Sequence, residues 1–306
     1  MGFHQIKNWL IYVVVRMLIC IIQSLPLRFC EAFARFMSRL AWHRLRIRRS
    51  VIEDNLRHAF PYLSQDERDS IALEMWNHLC LMVCEIAHTA RKIHRTNWRK
   101  HIQLNRARQL VQLLLADRPT VLVSGHFGNF EVAGYAAGLY GFSNYTIARP
   151  LDNPYLDRFI GSFRSLNGQY ILPKKGSAPQ IQEILDGCGT LVLLGDQHAG
   201  AKGCWVDFFG RPASCHKGIA LFSLINDAPL ATCYSKRLSG PLSFELGLAD
   251  IFDPAIKNDP EPEITTITQW YNEVLETVIE DAPGQYWWVH RRWKGHPPPI
   301  PRSVDG

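Results

Sequence analysis

The stretch Ser124-Gly-His-Phe-Gly-Asn-Phe-Glu131 holds the residues best suited to chemistry. A histidine titrates close to neutral pH, so His126 can take a proton there. Glu131 follows five residues on. That spacing does not align two side chains on one continuous helix, but it can do so across a turn that leads into a helix. A carboxylate on one ring nitrogen fixes the tautomer and stabilises the imidazolium, leaving the other nitrogen free to act as base. No G-x-S-x-G nucleophile elbow is present and no cysteine lies beside His126. The proton donor expected is therefore a substrate hydroxyl, with no covalent acyl-enzyme. On spacing alone, a structural histidine and a metal ligand remain open alternatives.

The elements that must position this pair follow from the hydrophobic pattern. Thr120–Ser124 is a short apolar run ending in glycine and histidine, and reads as a buried strand. Residues 129–139 read as a helix with Glu131 in its first turn. Gly125 and Gly128 allow the tight turn between them. Residues 144–148, 190–194 and 230–234 read as further strands, and residues 154–166, 218–225 and 264–279 as helices. Residues 31–92 have a helical pattern throughout, with Ser64 and Glu67 at capping-box spacing. Strands alternating with helices predict an α/β fold, a mostly parallel central sheet flanked by helices. His126 then lies at the carboxyl edge of that sheet, where open α/β folds hold ligands.

Other polar residues fall at the same edge. Asp196 ends the strand 190–194 and is expected to face the cleft, positioning a substrate or a basic side chain. Arg149 follows the strand 144–148 and is expected to bind anionic phosphate through forked hydrogen bonds. Arg164 is a second candidate for that task. Gly210 and Arg211 are expected to shape a loop over the acceptor. Backbone N–H groups near Gly125 or Gly128, or Arg149, are candidates for stabilising an oxyanion. His290, Arg291, Arg292 and Lys294 group with Trp287, Trp288 and Trp293, which suits a membrane interface or a packed cation–π cluster.

Charge and hydropathy point to a membrane. The net charge is +6 over 306 residues. Arg28, Arg35, Arg39, Arg44, Arg46, Arg48, Arg49 and Arg57 face only Glu31, Glu53 and Asp54 across that span. Such a cluster suits anionic lipid or phosphate. Just before it, Leu10–Leu27 is apolar apart from Arg16 and Gln23, at the lower limit for a spanning helix. The downstream arginines predict a cytoplasmic chain after Leu27. An anchor at the inner leaflet follows, either one marginal span or an interfacial helix. Eight scattered cysteines without a C-x-x-C pair agree with a reducing compartment. The expected organisation is an anchor over residues 1–30, one catalytic domain over 31–296 and a proline-rich tail over 297–306.

Several blocks also resemble the bacterial lipid A biosynthesis acyltransferases, the late acyltransferases of the lysophospholipid acyltransferase superfamily. Asn55-Leu-Arg-His-Ala-Phe-Pro61 resembles the N-L-x-x-A-F-P stretch of that family, and His126 with Glu131 matches its H-x-x-x-x-D/E motif. Arg149-Pro-Leu-Asp-Asn-Pro154, Arg164 and Lys174-Lys175-Gly176 resemble a second block. Gly195-Asp-Gln197 and Phe208-Phe-Gly-Arg-Pro-Ala213 resemble a third. Gln285-Tyr-Trp-Trp288 with His290-Arg-Arg-Trp-Lys294 is similar to its C-terminal signature. Asp207 departs from a frequent proline, and Ser214-Cys215 from serine-threonine. The resemblance implies one acyltransferase-like domain that moves a fatty acyl chain from acyl carrier protein or coenzyme A to a hydroxyl of a glycolipid, a lipid A precursor first of all. It implies no metal and no bound cofactor, and a place on the cytoplasmic face of the bacterial inner membrane. Related branches of the superfamily acylate other glycolipids and lysophospholipids.

Two other classes compete. A metal hydrolase would use His126, Asp196, His198 and His216 as ligands, although no compact H-E-x-x-H pair exists. A non-catalytic protein binding membrane or nucleic acid would use the arginine cluster. It leaves the histidine–acid pair at a strand end unexplained, so no nucleic-acid partner is expected.

Overall fold

The computed structural model describes residues 2–165, 168–256 and 263–297. The expected tail, residues 297–306, therefore falls almost wholly outside the described residues.

The chain opens with helices α1 (Phe3–Ser24), α2 (Leu27–Arg39), α3 (Arg49–Ala59) and α4 (Gln65–Lys92). The segment expected to be helical up to Lys92 is thus broken. A π-helical turn at Leu40–Arg44 precedes α3, and Arg46 and Arg48 adopt positive φ between them. Ser64 caps α4, and the reciprocal bond from its backbone to Glu67 is formed at 2.7 Å. The rest alternates: β1 (Ile102–Asn105), α5 (Ala107–Leu114), β2 (Thr120–Ser124), α6 (Phe130–Leu139), β3 (Asn144–Ala148), α7 (Pro154–Ser165), β4 (Gln169–Pro173), α8 (Ala178–Asp186), β5 (Thr190–Leu194), β6 (Cys204–Phe208), β7 (Arg211–Cys215), α9 (Gly218–Ile225), β8 (Leu230–Arg237), β9 (Phe244–Phe252) and α10 (Ile264–Asp281).

Seven strands form one sheet in the order β1-β9-β8-β2-β5-β3-β4, while β6 and β7 pair as a separate hairpin. Only the β8–β9 pairing is antiparallel within the large sheet. The mixed α/β class with a mainly parallel central sheet is therefore as the hydrophobic pattern requires. The pattern did not reveal β1, β4, β6, β7 and β9, which are short or partly polar.

The two faces of the central strands have different fates. Successive side chains of a strand point to opposite faces. Val121 and Val123 of β2 and Leu191 and Leu193 of β5 are buried in the main core with Ile219 of α9 and Tyr271 of α10. The alternate residues Leu122, Ser124, Val192 and Leu194 are only half buried and line a cavity, together with Ala133, Gly134 and Ala137 of α6. The small side chains on that side of α6 leave the space open.

At the N-terminus, α1 is long and apolar enough to cross a membrane by length and composition, and its surface is almost wholly exposed. α4 meets the same criterion, but it is a core helix, burying Met75, His78, Leu81 and Glu85. On α2, Phe29, Phe33 and Phe36 are exposed beside Arg28, Arg35 and Arg39. α1 is also tied to the domain: Asn153 donates to the Asn8 carbonyl at 2.8 Å, and Gln23 donates to that of Ala87 at 2.7 Å.

Candidate active site

β2 and β5 are neighbours and pair in register, Thr120 with Thr190 through Ser124 with Leu194. His126 and Asp196 each lie two residues past the paired ends, so parallel register sets them side by side. The Asp196 carboxylate takes two hydrogen bonds from His126. Nδ1 lies 2.7 Å from Oδ1, and the backbone N–H donates to Oδ2 at 2.8 Å. The side chains are 13% and 3% exposed. Of the two roles expected of Asp196, holding a substrate or a basic side chain, the geometry shows the second, since both of its oxygens are engaged by His126. Glu131, chosen by spacing as the partner of the ring, grips Arg164. Arg164 Nε donates to Oε2 at 3.0 Å, and Nη2 bonds Oε1. A side chain on the first turn of α6 points back over the sheet toward α7, not down to Nδ1.

The pair is electrostatically coherent. Burial alone would raise the Asp196 carboxyl, but the charge of His126, its two hydrogen bonds and the buried Arg292 outweigh this and hold it at about 2. Burial works to lower the His126 imidazole. The charge of Asp196, its hydrogen bond and the more remote Glu131 raise it above the ordinary value. With Nδ1 committed to Asp196, Nε2 is the free lone pair. It accepts from the Gln197 amide at 3.1 Å. Trp287 and Phe130 flank the ring, with centroids 4.8 and 5.2 Å away.

The turn that carries His126 is braced from below. The Gly128 carbonyl accepts from His78 Nε2 at 3.1 Å, and its N–H donates to the Gln285 carbonyl at 2.9 Å. A Cβ at this position would fall 1.5 Å from the Ser235 carbonyl oxygen, and φ is +58°, so glycine is required twice over. Because its N–H is used, Gly128 is not an oxyanion donor. Trp287 N–H donates to the His126 carbonyl at 3.1 Å, which ties the C-terminal signature to the turn. Asn129 caps α6 by accepting from Val132 N–H at 3.2 Å. Its amide donates at 3.0 Å to Glu85, which is also held by two bonds from Arg237.

The remaining predicted residues divide. Arg149, Arg164 and Glu131 line the cavity with His126. Arg149 is largely exposed at its mouth and pairs with Asp152 at 2.8 Å. Gly210 and Arg211 sit at the β6–β7 turn and are not among the cavity-lining residues. Arg211 lies 4.0 Å from Asp54 and 6.0 Å from the Trp293 ring centroid, and the hairpin packs on α10 through Phe209 N–H to Glu276. Among the described residues no three His, Cys, Asp or Glu side chains converge as a metal-binding group, so the hydrolase ligand set is not assembled. Gln197 and Trp287 were visible only as parts of motifs. The dyad itself had a sequence signal, since two buried strands end in the same way, Ser124-Gly125-His126 and Leu194-Gly195-Asp196.

The cavity has a volume of about 760 Å³ and runs from His126 along the uncovered sheet face beneath α6. The family model described as "Bacterial lipid A biosynthesis acyltransferase" matches residues 2–295. The chain belongs to this family. Its members and this chain are acyltransferases. Lipid A biosynthesis lauroyltransferase of Escherichia coli K12 is 24% identical over 302 residues, covering 96% of this chain and 94% of that protein. Lipid A biosynthesis palmitoleoyltransferase of the same organism is 24% identical over 255 residues, covering 83% and 81%. The solved 1-acyl-sn-glycerophosphate acyltransferase of Thermotoga maritima superposes with a TM-score of 0.39 at 9% identity, covering 85% of this chain and 98% of that one.

Proposed function

We propose that this acyltransferase moves a fatty acyl chain from an acyl thioester to a hydroxyl of a lipid A precursor, with His126 as general base. The observation that carries the reading is the apolar cavity opening beside the one imidazole nitrogen that Asp196 leaves free. The acceptor hydroxyl takes the place of the Gln197 amide at Nε2 and gives up its proton there as its oxygen attacks the thioester carbonyl. Asp196 stabilises the imidazolium that forms. The tetrahedral intermediate collapses with loss of the thiolate, which takes the proton back from Nε2. Arg164 has Nη1 outside its pair with Glu131 and lines the cavity. It therefore supplies positive charge to the developing oxyanion or to an acceptor phosphate. Glu131 fixes that guanidinium, so in this reading it acts on Arg164 before it acts on His126. Arg149, at the mouth, meets an anionic group of donor or acceptor.

The donor is acyl carrier protein or coenzyme A, and no metal or bound cofactor takes part. The exposed apolar surface of α1, with Phe29, Phe33 and Phe36 of α2 among arginines, supports a seat for this enzyme at the cytoplasmic face of the inner membrane. Two experiments test the chemistry. The full-length protein in detergent is given acyl-acyl carrier protein or acyl-coenzyme A with either a lipid A precursor or a lysophospholipid, and the products are read by mass spectrometry. An acylated lipid A precursor is the expected product; acylation of the lysophospholipid alone would move the acceptor assignment. Turnover should rise with pH through a midpoint above about 6.5, because the base must be neutral and its pKa lies above the ordinary value. A flat profile from pH 5 to 8 contradicts histidine as base.

Ala137 lines the cavity roof. Ala137→Phe should shorten the acyl chains that are accepted. Each methylene denied burial costs about 0.8 kcal/mol, so excluding two lowers kcat/KM for the longest donor by roughly 15-fold. Shorter donors should be little affected. A uniform loss across chain lengths would place the chain elsewhere.

A further inference from the structure

The lone pair of His126 Nε2 is occupied. The Gln197 amide donates to it at 3.1 Å, and Gln197 lines the same cavity as His126. Two consecutive residues thus hold the two ring nitrogens, Asp196 on Nδ1 and Gln197 on Nε2. Their positions differ in consequence. The bond to Asp196 lasts through the reaction. The bond to Gln197 must break before a hydroxyl can reach the base, so an amide placed for orientation alone would block the atom it serves.

The reaction calls for a hydrogen-bond donor at this place. As the acceptor oxygen bonds to the thioester carbon, the π pair of the carbonyl moves onto its oxygen, and donors already in position stabilise the oxyanion. Backbone donors near the base are engaged elsewhere. The N–H of His126 goes to Asp196, that of Gly128 to the Gln285 carbonyl and that of Asn129 to the Ser235 carbonyl. At the neighbouring strand end the N–H groups of Gly195, His198 and Ala199 go to the Ser124 carbonyl, the His290 ring and the Ser214 carbonyl. Arg164 commits Nε and Nη2 to Glu131, and Arg149 pairs with Asp152 at the mouth. The attacking oxygen must come within about 3 Å of Nε2 to give up its proton, and the oxyanion forms two bonds away from that oxygen. A donor 3.1 Å from Nε2 reaches it by a turn of its own side chain.

We propose that Gln197 is a catalytic residue, the oxyanion donor of the transfer reaction. Its amide N–H rests on His126 Nε2 until the acceptor hydroxyl displaces it, and then turns to the thioester carbonyl oxygen. The pair on that oxygen returns to carbon as the C–S bond breaks, and the proton held at Nε2 passes to the leaving thiolate. The amide exchanges no proton and goes back to Nε2. With Gln197 as the direct donor, the charge of Arg164 is free for an acceptor phosphate. The proposal rests on His126 being the base.

The test compares full-length wild type with Gln197→Met, which keeps the side-chain length and removes the donor. The acyl donor is carried on coenzyme A or acyl carrier protein, whichever wild type uses, and kcat is read on the plateau above the acid limb, so that ionisation of His126 does not enter. Two inhibitors on the same carrier are titrated in parallel. One is a thioether with a methylene in place of the carbonyl. The other is a trifluoromethyl ketone, whose hydrate resembles the tetrahedral intermediate. Gln197→Met should lower kcat about 10²- to 10³-fold, weaken the ketone by a comparable factor and bind the thioether as tightly as wild type. Thioether binding also reports that the variant is folded. Gln197→Glu, with the same shape and an acceptor in place of the NH₂, stands in if it is not, and should lose at least as much. A kcat close to that of wild type, a fall in kcat with ketone binding unchanged, or equal weakening of ketone and thioether overturns the assignment. Absence of transfer by wild type to any hydroxyl acceptor defeats the functional reading instead, so the two failures are distinguishable.

Discussion

Asp196→Asn is expected to lower turnover on the order of 10³- to 10⁴-fold, with a much smaller change in KM. The carboxylate accepts from both Nδ1 and the backbone N–H of His126. Asparagine has one acceptor oxygen and one NH₂ donor for these two donors. Either the ring takes the other tautomer, with its proton on Nε2 and no lone pair for the acceptor hydroxyl, or the backbone N–H loses its partner. The charge that stabilises the imidazolium is lost in both cases. Steady-state kinetics with a single donor and acceptor measure the effect. Retention of more than a tenth of wild-type turnover would mean that another group orients the base. Glu131→Gln is the natural control, since it weakens the grip on Arg164 and leaves the hydrogen bonds of the ring intact.

The second large effect is on stability. Glu85 is fully buried in α4 and accepts four bonds: two from Arg237 at 2.7 and 2.6 Å, one from Asn129 at 3.0 Å and one from Leu242 N–H at 3.2 Å. Glu85→Ala removes the counter-charge and leaves Arg237 closed in. Breaking a buried pair in this way costs about 3–5 kcal/mol, a large share of the stability of an ordinary domain. Chemical denaturation in detergent should show a midpoint well below that of wild type. A midpoint within error of wild type would mean that water reaches Arg237. The substitution should also slow transfer in the molecules that remain folded, because Asn129 and, through His78, Gly128 lose their brace.

How much the local sequence reveals depends on the range of the forces involved. The buried strand before His126 is legible because five apolar or small residues need no distant partner to be recognised. The capping box of Ser64 and Glu67 is legible for the same reason, as all its atoms lie within one turn. β4 and β9 are not, because their edge or mixed exposure leaves them with partly polar sequences. The break at Leu40–Arg44 is hidden as well. It holds the fully buried Trp42 and contains no glycine or proline that would announce it.

The carboxylates mark the boundary most clearly. Glu131 was chosen because it is near His126 in the chain; Asp196 is 70 residues away. Residue type and a glycine before each side chain fixed the chemistry on offer at the strand ends: an imidazole at one and a carboxylate at the other. Which acid meets the ring depended on β5 lying next to β2 in parallel register, and strand order is set by how whole elements bury their apolar faces. Local spacing carries no information about that choice. The same holds for the cavity beside His126, since an open space exists only once distant segments have packed.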